Sequence, residues 1–137
     1  TAGMDLHNYR EMNNQFATFI EGTSDGSIDK ELEAAIKKQR TWVSRGPILE
    51  TNIDYTHEKL TFSVINTKKP GYYHSNLEPY YLTLKTKKGI LTEEISIRNP
   101  LTTSFSVLEQ ETIILPKLYR SDTAIDNLVA VAPTIYL

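Results

Sequence analysis

The stretch that decides the fold is residues 47 to 65, PILETNIDYTHEKLTFSVI. On both sides of a polar turn through His57 and Glu58, apolar and polar residues alternate with a period of two. This period is typical of strands with one buried face, so the stretch predicts an antiparallel hairpin. Its predicted inward face comprises Leu49, Thr51, Ile53, Tyr55, Leu60, Phe62 and Val64.

Further strand signals follow towards the carboxyl terminus. A second hairpin is predicted from Tyr80 across the turn Lys87-Lys88-Gly89 to Ile97. Phe105 to Leu108 and Thr112 to Leu115 predict one long or two short strands, with an interruption at Pro116. A helical turn is expected within Ser121 to Leu128, and Val129 to Leu137 predicts a last strand pair bent at Pro133.

Before Gly46 the apolar period changes to that of a helix. The first predicted amphipathic helix has Asp5 as its cap, and a second begins after a cap at Ser27 and ends at Gly46-Pro47. The apolar face of the first comprises Leu6, Tyr9, Met12, Phe16, Phe19 and Ile20. The inner face of the second comprises Ile28, Leu32, Ala35, Ile36, Gln39 and Val43.

These patterns predict an α+β fold class. Two N-terminal amphipathic helices in residues 1–46 precede a mainly antiparallel β-domain in residues 47–137, expected to be a sandwich of about seven strands. The alternative is a cone-like arrangement with the helices packed on a curved antiparallel sheet. At 137 residues the two parts are expected to pack as one globular unit.

Composition argues against several functions. A net charge of −2 gives no general attraction for nucleic acid or anionic lipid, and the absence of cysteine excludes disulfides, thiol nucleophiles and thiolate metal sites. No apolar run reaches the roughly 20 residues that span a bilayer. His7, His57 and His74 lie in separate segments, and the known phosphate loops are missing, so neither a metal nor a cofactor is expected.

Groups suited to recognition are concentrated in residues 71–81, GYYHSNLEPYY, which contain four of the eight tyrosines. Tyrosine combines a ring that stacks with a hydroxyl that forms hydrogen bonds, so this tyrosine segment is predicted to bind a partner or ligand. Neighbouring strand residues face opposite sides, so one tyrosine of each pair is expected in the core. The predicted binding residues are Tyr72, Tyr73, His74, Asn76, Glu78, Tyr80 and Tyr81.

The function predicted from the sequence is a noncatalytic interaction or assembly module that binds a protein partner or self-associates. It is expected to be a soluble ectodomain of a secreted or membrane-anchored protein, with any anchor upstream and an extracytoplasmic location favoured over a cytoplasmic one. The alternative is a small ligand-binding protein or enzyme with a cavity under a curved sheet, using His74, Glu78 and tyrosines. Single-stranded nucleic acid is not expected to bind, because the lysines near the tyrosine segment lie in a chain of negative net charge.

Overall fold

The computed structural model describes residues 15–21, 27–67, 79–86, 89–108 and 113–137. Those ranges contain ten β-strands, one α-helix and a short 3-10 helix at Ile125–Asn127, within the stretch where a helical turn was predicted. The elements are β1 (Ala17–Ile20), α1 (Ile28–Lys37), β2 (Thr41–Ser44), β3 (Pro47–Asp54), β4 (Lys59–Asn66), β5 (Tyr80–Thr86), β6 (Gly89–Ile95), β7 (Leu101–Ser104), β8 (Ile113–Tyr119), β9 (Leu128–Val131) and β10 (Ile135–Tyr136).

The strands form two sheets in which every described pairing is antiparallel. The larger sheet has seven strands in the order β1-β2-β9-β8-β5-β6, with β10 also paired to β8. The smaller sheet has three strands in the order β3-β4-β7. Strands from both ends of the chain therefore lie side by side in the larger sheet.

The hydrophobic core is shared by the two sheets. Alternate residues of β4 contribute Leu60 and Phe62, while β5 and β8 contribute Leu82, Leu84 and Leu118, all fully buried in one cluster. Removing these large apolar side chains from water is the main favourable term in folding. The apolar alternation read from the sequence therefore marks the surface on which one sheet meets the other.

Both hairpins predicted from the sequence are present. In the first, Leu49 pairs with Val64 and Ile53 with Leu60, so these predicted inward residues face each other across β3 and β4. Tyr55, also predicted to face inward, lies in the turn and is 66% exposed. In the second, β5 pairs with β6 from Tyr80 opposite Ile95 to the end of the strands. Local alternation sufficed here because each partner strand is the next one along the chain.

The predicted α+β fold class is wrong, both as two helices followed by a sandwich and as helices packed on a curved sheet, because the described residues are mostly antiparallel strand in two sheets with a single α-helix. Residues 1–46 were predicted to form two helices, but their described part contains one α-helix, and Ala17–Ile20, assigned to the first predicted helix, is strand β1. The rest of that predicted helix, up to residue 14, lies outside the described residues. The second helix was predicted to continue to Gly46-Pro47, but α1 ends at Lys37. Thr41–Ser44 forms β2, which pairs with β1 and β9.

The physical reason for this error is the ambiguity of short apolar runs. Trp42 and Val43 fit a helical spacing from Leu32, but threonine, tryptophan and β-branched valine also favour strands. Pairing on both edges of β2 decides between the two structures, and that information is not local. Neither α1 nor any other helix in the described ranges has the length and the hydropathy needed to cross a membrane.

Helix α1 ends in a compact hydrogen-bonded cap at Gln39. The Arg40 amide donates to the Ala35 carbonyl at 2.8 Å and the Gln39 amide to the Ile36 carbonyl at 3.1 Å, which is the Schellman pattern. Gln39 itself has a φ of 55°, in the left-handed region that glycine usually occupies. This cap reverses the chain so that β2 can begin at Thr41.

Two strand predictions in the carboxyl-terminal half are also corrected. Phe105 to Leu108 is a turn that follows β7, and Pro116, predicted as an interruption, lies inside β8. The Pro116 carbonyl accepts from the Ala132 amide at 3.2 Å, so its backbone faces the side of β9 and β10. Proline has no N–H to donate on this side, and none is needed, because Pro116 lies opposite the gap between the end of β9 at Val131 and the start of β10 at Ile135.

Candidate functional site

The tyrosine segment is described only at its end. Tyr72, Tyr73, His74, Asn76 and Glu78 lie outside the described residues. Tyr80 and Tyr81 begin β5 and face opposite sides: the Tyr80 side chain is fully buried in the core, whereas Tyr81 is half-buried. The expected division of a tyrosine pair between core and surface is therefore present here, and the binding role of the segment stays a prediction.

Tyr81 lines a shallow depression of about 510 Å³ together with Pro79, Arg120, Ser121 and Asn127. One wall is held by the Asp122 carboxylate. Its Oδ1 accepts from the Ala124 amide at 2.8 Å and from Asn127 Nδ2 at 2.7 Å. These hydrogen bonds favour the ionised form and lower the pKa of Asp122 below 3.8.

A larger concavity, of about 650 Å³, lies over the outer face of β3 and β4 and against the end of α1 and the start of β2. We call it the β3 groove. Its size falls within the range of typical ligand sites, about 300 to 1,000 Å³. Its lining residues are Ile20, Glu21, Gln39, Arg40, Trp42, Ile48, Glu50, Thr51, Asn52, Thr61 and Ser63.

The wall of the β3 groove is positioned by Trp42. Its indole Nε1 donates a hydrogen bond to the Leu49 carbonyl at 2.9 Å, which links β2 of the larger sheet to β3 of the smaller one. Arg40 and Glu21 form an ion pair of 3.0 Å at the same wall, with more than half of each side chain exposed. Exposed pairs of this kind contribute little to stability, so they are available to exchange partners.

Charge in the groove is concentrated at Glu50. Arg40 is neutralised by Glu21, whereas no described side chain forms an ion pair or hydrogen bond with the exposed Glu50 carboxylate. Asn52, Thr61 and Ser63 surround it with hydrogen-bonding groups on the same outer face of the hairpin. The groove therefore presents one uncompensated negative charge among neutral polar groups.

The edge of β3 has a second chemical property. The Pro47 carbonyl accepts from Ser44 Oγ and the Leu49 carbonyl from Trp42, so these backbone groups point away from β4. By the alternation of an antiparallel strand, Thr51 and Ile53 turn their backbone groups in the same direction. Among the described residues, no strand other than β4 pairs with β3. The Thr51 Oγ1 atom is buried there without a hydrogen-bond partner.

The described part of the chain offers little for acid and base chemistry. His57 is the one histidine within it, and its Nδ1 lies 2.6 Å from Asp54 Oδ2 in the exposed turn between β3 and β4. No set of three His, Cys, Asp or Glu side chains in these ranges comes together to hold a metal. His74 and Glu78, the pair predicted for catalysis, are not among the described residues.

Sequence reasoning missed the β3 groove. Its residues come from the ends of β1 and α1, the start of β2 and the hairpin of β3 and β4, and no sequence pattern connects these segments. The one local signal was Trp42, the single tryptophan of the chain, which the helical interpretation placed on a helix. Comparison with known protein families, curated proteins and solved structures finds no match to this chain.

Proposed function

We propose that the protein is a noncatalytic interaction and assembly module that self-associates through α1. The observation that carries this proposal is the exposure of the apolar face of the helix. Ile28, Leu32 and Ile36 are 77%, 37% and 50% exposed, and Ala35 is the one buried residue of α1. These three side chains, the α1 stripe, follow a spacing of four residues and so lie along one side of the helix.

An exposed apolar stripe on an amphipathic helix is typical of a surface that a partner covers. The sequence predicted these residues to face inward, on the core of the same molecule. In the structure the same three side chains are exposed, so this apolar face of α1 points towards solvent. It is therefore the feature of the described chain that best fits the interaction role predicted from the sequence.

The order of the charges along α1 favours a second copy of this chain as the occupant. The first turn of α1 contains two acids and one base, Asp29, Glu31 and Lys30, whereas Lys37 and the cap residue Lys38 lie at its end, where Lys37 also pairs with Glu33 at 2.6 Å. In an antiparallel pair of helices, the acidic start of each helix lies beside the basic end of the other, while a parallel pair places like charges together. Ile28 of one copy would then contact Ile36 of the second, with Leu32 near the two-fold axis.

The small size of this surface predicts a weak and reversible association. Three side chains of one ten-residue helix bury far less than the roughly 1,600 Å² of a standard stable interface. An array of copies at high local concentration strengthens such contacts, because the effective concentration replaces the bulk one. Assembly rather than a permanent dimer is the role that fits this surface.

Cysteine cross-linking tests the proposal cleanly because the natural chain contains no cysteine. We expect Ile28→Cys mixed with Ile36→Cys to form a disulfide-linked heterodimer under mild oxidation. Each of these variants alone is expected to cross-link poorly, whereas Leu32→Cys cross-links to itself near the axis. The matched control is Ile90→Cys on β6, which is 67% exposed and outside the stripe.

Three outcomes contradict the proposal. Cross-linking of Ile90→Cys as fast as the mixed pair means that collisions alone account for the products. Self-cross-linking of Ile28→Cys in preference to the mixed pair indicates a parallel arrangement and overturns the charge argument. A sedimentation profile of the natural chain that stays monomeric at millimolar concentration removes self-association altogether.

Two other expectations from the sequence stay predictions. The anchored, extracytoplasmic placement is tested by the coding sequence upstream of Thr1, where an apolar run of about 20 residues is expected. The alternative of a ligand-binding protein or enzyme depends on His74 and Glu78. It is tested by whether Tyr81→Ala alters the binding of a small ligand found by thermal-shift screening.

A further inference from the structure

We infer that the β3 groove binds an extended segment of a partner protein, which adds a fourth strand to the smaller sheet along the outer edge of β3. The segment carries alternating apolar and basic side chains. This site is separate from the α1 stripe and does not depend on self-association. The inference rests on the backbone groups of β3, the charge of the groove and an unsatisfied polar atom in its lining.

The backbone of β3 provides the main observation. Two side chains of β2 donate hydrogen bonds to the first outward carbonyls of β3. Ser44 donates to the Pro47 carbonyl and Trp42 to the Leu49 carbonyl. Beyond Trp42 these contacts stop, and in the described part of the chain no strand pairs with the outward groups of Thr51 and Ile53. Unpaired N–H and C=O groups along a strand edge are a template for an added strand.

The free length of the edge sets the length of the occupant. From Thr51 to Asp54 the edge covers four residues, or roughly 13 Å at the usual rise of a strand. Trp42 limits the added strand at one end, and the turn after Asp54 limits it at the other. A segment with four paired residues is expected, which is a small contact and predicts modest affinity.

The unpaired hydroxyl of Thr51 supports the presence of a missing partner group. Its Oγ1 is buried without a hydrogen bond, although Thr51 lines the groove. Buried polar atoms in native proteins are almost always hydrogen-bonded, and one left unpaired costs about 1 to 3 kcal/mol. In this proposal the Thr51 side chain turns towards the strand edge on binding, and its hydroxyl pairs with a polar group of the segment.

Side chains of an added strand alternate between two environments. Those on the outer face lie beside the row that contains Glu50 and Asn52, where the carboxylate has no partner among described residues. Lysine or arginine complements this charge. Side chains on the other face lie beside Ile53 and the edge of the core, where apolar residues are favoured. The alternation of basic and apolar residues follows from the period of two.

The probe for this inference is the peptide acetyl-Val-Lys-Val-Lys-Val-Lys-amide, titrated into the natural chain with amide NMR as the readout. We expect saturable shifts confined to β3 and Trp42, with the Thr51 and Ile53 amides exchanging rapidly with solvent before addition and slowly afterwards. Methylation of alternate peptide amides separates the two edges of the peptide. One methylated set abolishes binding, and the other leaves it unchanged.

Charge reversal tests the second part of the inference. Glu50→Lys is expected to weaken the lysine peptide about two- to fivefold, as for an exposed ion pair, and to favour a peptide with glutamate at those positions. Glu93→Lys is the matched control, because Glu93 is exposed on β6 of the other sheet. Thr51→Pro removes one edge donor that β4 does not use, and it is expected to abolish binding with the fold retained.

Several results overturn the inference. Thr51 and Ile53 amides that are already protected in the free monomer mean that a segment of this chain occupies the edge. Protection that appears only with rising protein concentration means that a second copy does so. Binding that tolerates both methylated peptides excludes strand addition. Equal affinity of Glu50→Lys and the natural chain for the lysine peptide excludes the charge complementarity.

Discussion

The Trp42 indole donates a 2.9 Å hydrogen bond to the Leu49 carbonyl and thereby joins the two sheets at their edges. Trp42 belongs to β2 of the larger sheet and Leu49 to β3 of the smaller one. Ser44, the last residue of β2, is fully buried, and its Oγ lies within hydrogen-bond reach of the Pro47 and Val129 carbonyls. This junction holds the wall of the β3 groove against its floor.

Loss of the indole donor is expected to destabilise the protein. Trp42→Phe keeps an aromatic ring but leaves the Leu49 carbonyl without this donor, at a cost of about 1 to 3 kcal/mol. Urea denaturation followed by circular dichroism measures the change. Tyr136→Phe, at an exposed position of β10, is the control and is expected to change stability by less than about 0.5 kcal/mol. Equal stability of Trp42→Phe and the natural chain would show that the junction does not depend on this bond.

Ser44 is predicted to be the most sensitive serine of the described ranges. Its Oγ accepts from the Gly46 amide at 2.9 Å and lies within hydrogen-bond reach of the Pro47 and Val129 carbonyls. Ser44→Ala is expected to lower the free energy of unfolding by about 1 to 3 kcal/mol, because a buried amide loses its acceptor. Ser121→Ala, at an exposed position, serves as the comparison in the same denaturation series. Matching losses for the two variants would contradict the role assigned to Ser44.

Glycine at position 39 is expected to stabilise the protein. Gln39 has a φ of 55°, and a side chain in the left-handed region costs about 1 kcal/mol relative to glycine. Gln39→Gly should therefore raise the midpoint of urea denaturation. Lys38→Gly is the matched control, because Lys38 has a φ of −89° and gains nothing from glycine. A fall in stability for Gln39→Gly would indicate that the Gln39 side chain contributes more contacts than its conformation costs.

The turn between β3 and β4 is predicted to contribute a stability that depends on pH. The His57 side chain, lying 2.6 Å from Asp54 Oδ2, is the main cause that lowers the pKa of Asp54 below 3.8, and the His57 and Thr56 amides add to it. A carboxyl whose pKa is lower in the folded state stabilises the fold above its unfolded pKa. That contribution is lost as the pH falls through the folded pKa.

Asp54→Asn is the variant that tests this dependence, since the amide oxygen still accepts from the turn. It is expected to be less stable than the natural chain at pH 7, and the difference should close as the pH is lowered below 3.8. In His57→Ala, the NMR titration of Asp54 should shift towards 3.8 without reaching it, because the backbone donors remain. A stability difference that is the same at pH 7 and pH 2 would contradict the assignment.

The parts of the fold that could be predicted are those settled by neighbours along the chain. Alternation identified the hairpins of β3 with β4 and of β5 with β6, and it indicated that Tyr80 and Tyr81 face opposite sides. Ala17–Ile20 and Thr41–Ser44 are strands because they pair with each other and because the second of them also pairs with β9. The local spacing of apolar residues carries no information about such distant pairing. These residues were therefore predicted to be helical from their spacing, although their pairing in the sheet makes them strands.

The candidate site was hidden for a related reason. Glu50 and Asn52 were correctly placed opposite the apolar face of their strand, but alternation does not reveal what lies above that face. The groove exists because Gln39, Arg40 and Trp42 end a helix and begin a strand next to the hairpin. Predicting the groove required knowing that Thr41–Ser44 is a strand and how it pairs, but these residues were predicted to belong to a helix.

The pairing of β2 with β9 has a consequence for how the protein is made. Val43 pairs with Val131 and Ser44 with Ala130, so the amino-terminal strands of the larger sheet contact residues close to the carboxyl terminus. Contacts between such distant parts of a chain slow folding, because a long loop must close before they form. On a ribosome, the two local hairpins can form as they emerge, but β2 cannot pair with β9 until the chain has been made past Val131. Assembly of the larger sheet is thus expected to follow the formation of the two hairpins, and until then β2 lacks its partner on the side of β9.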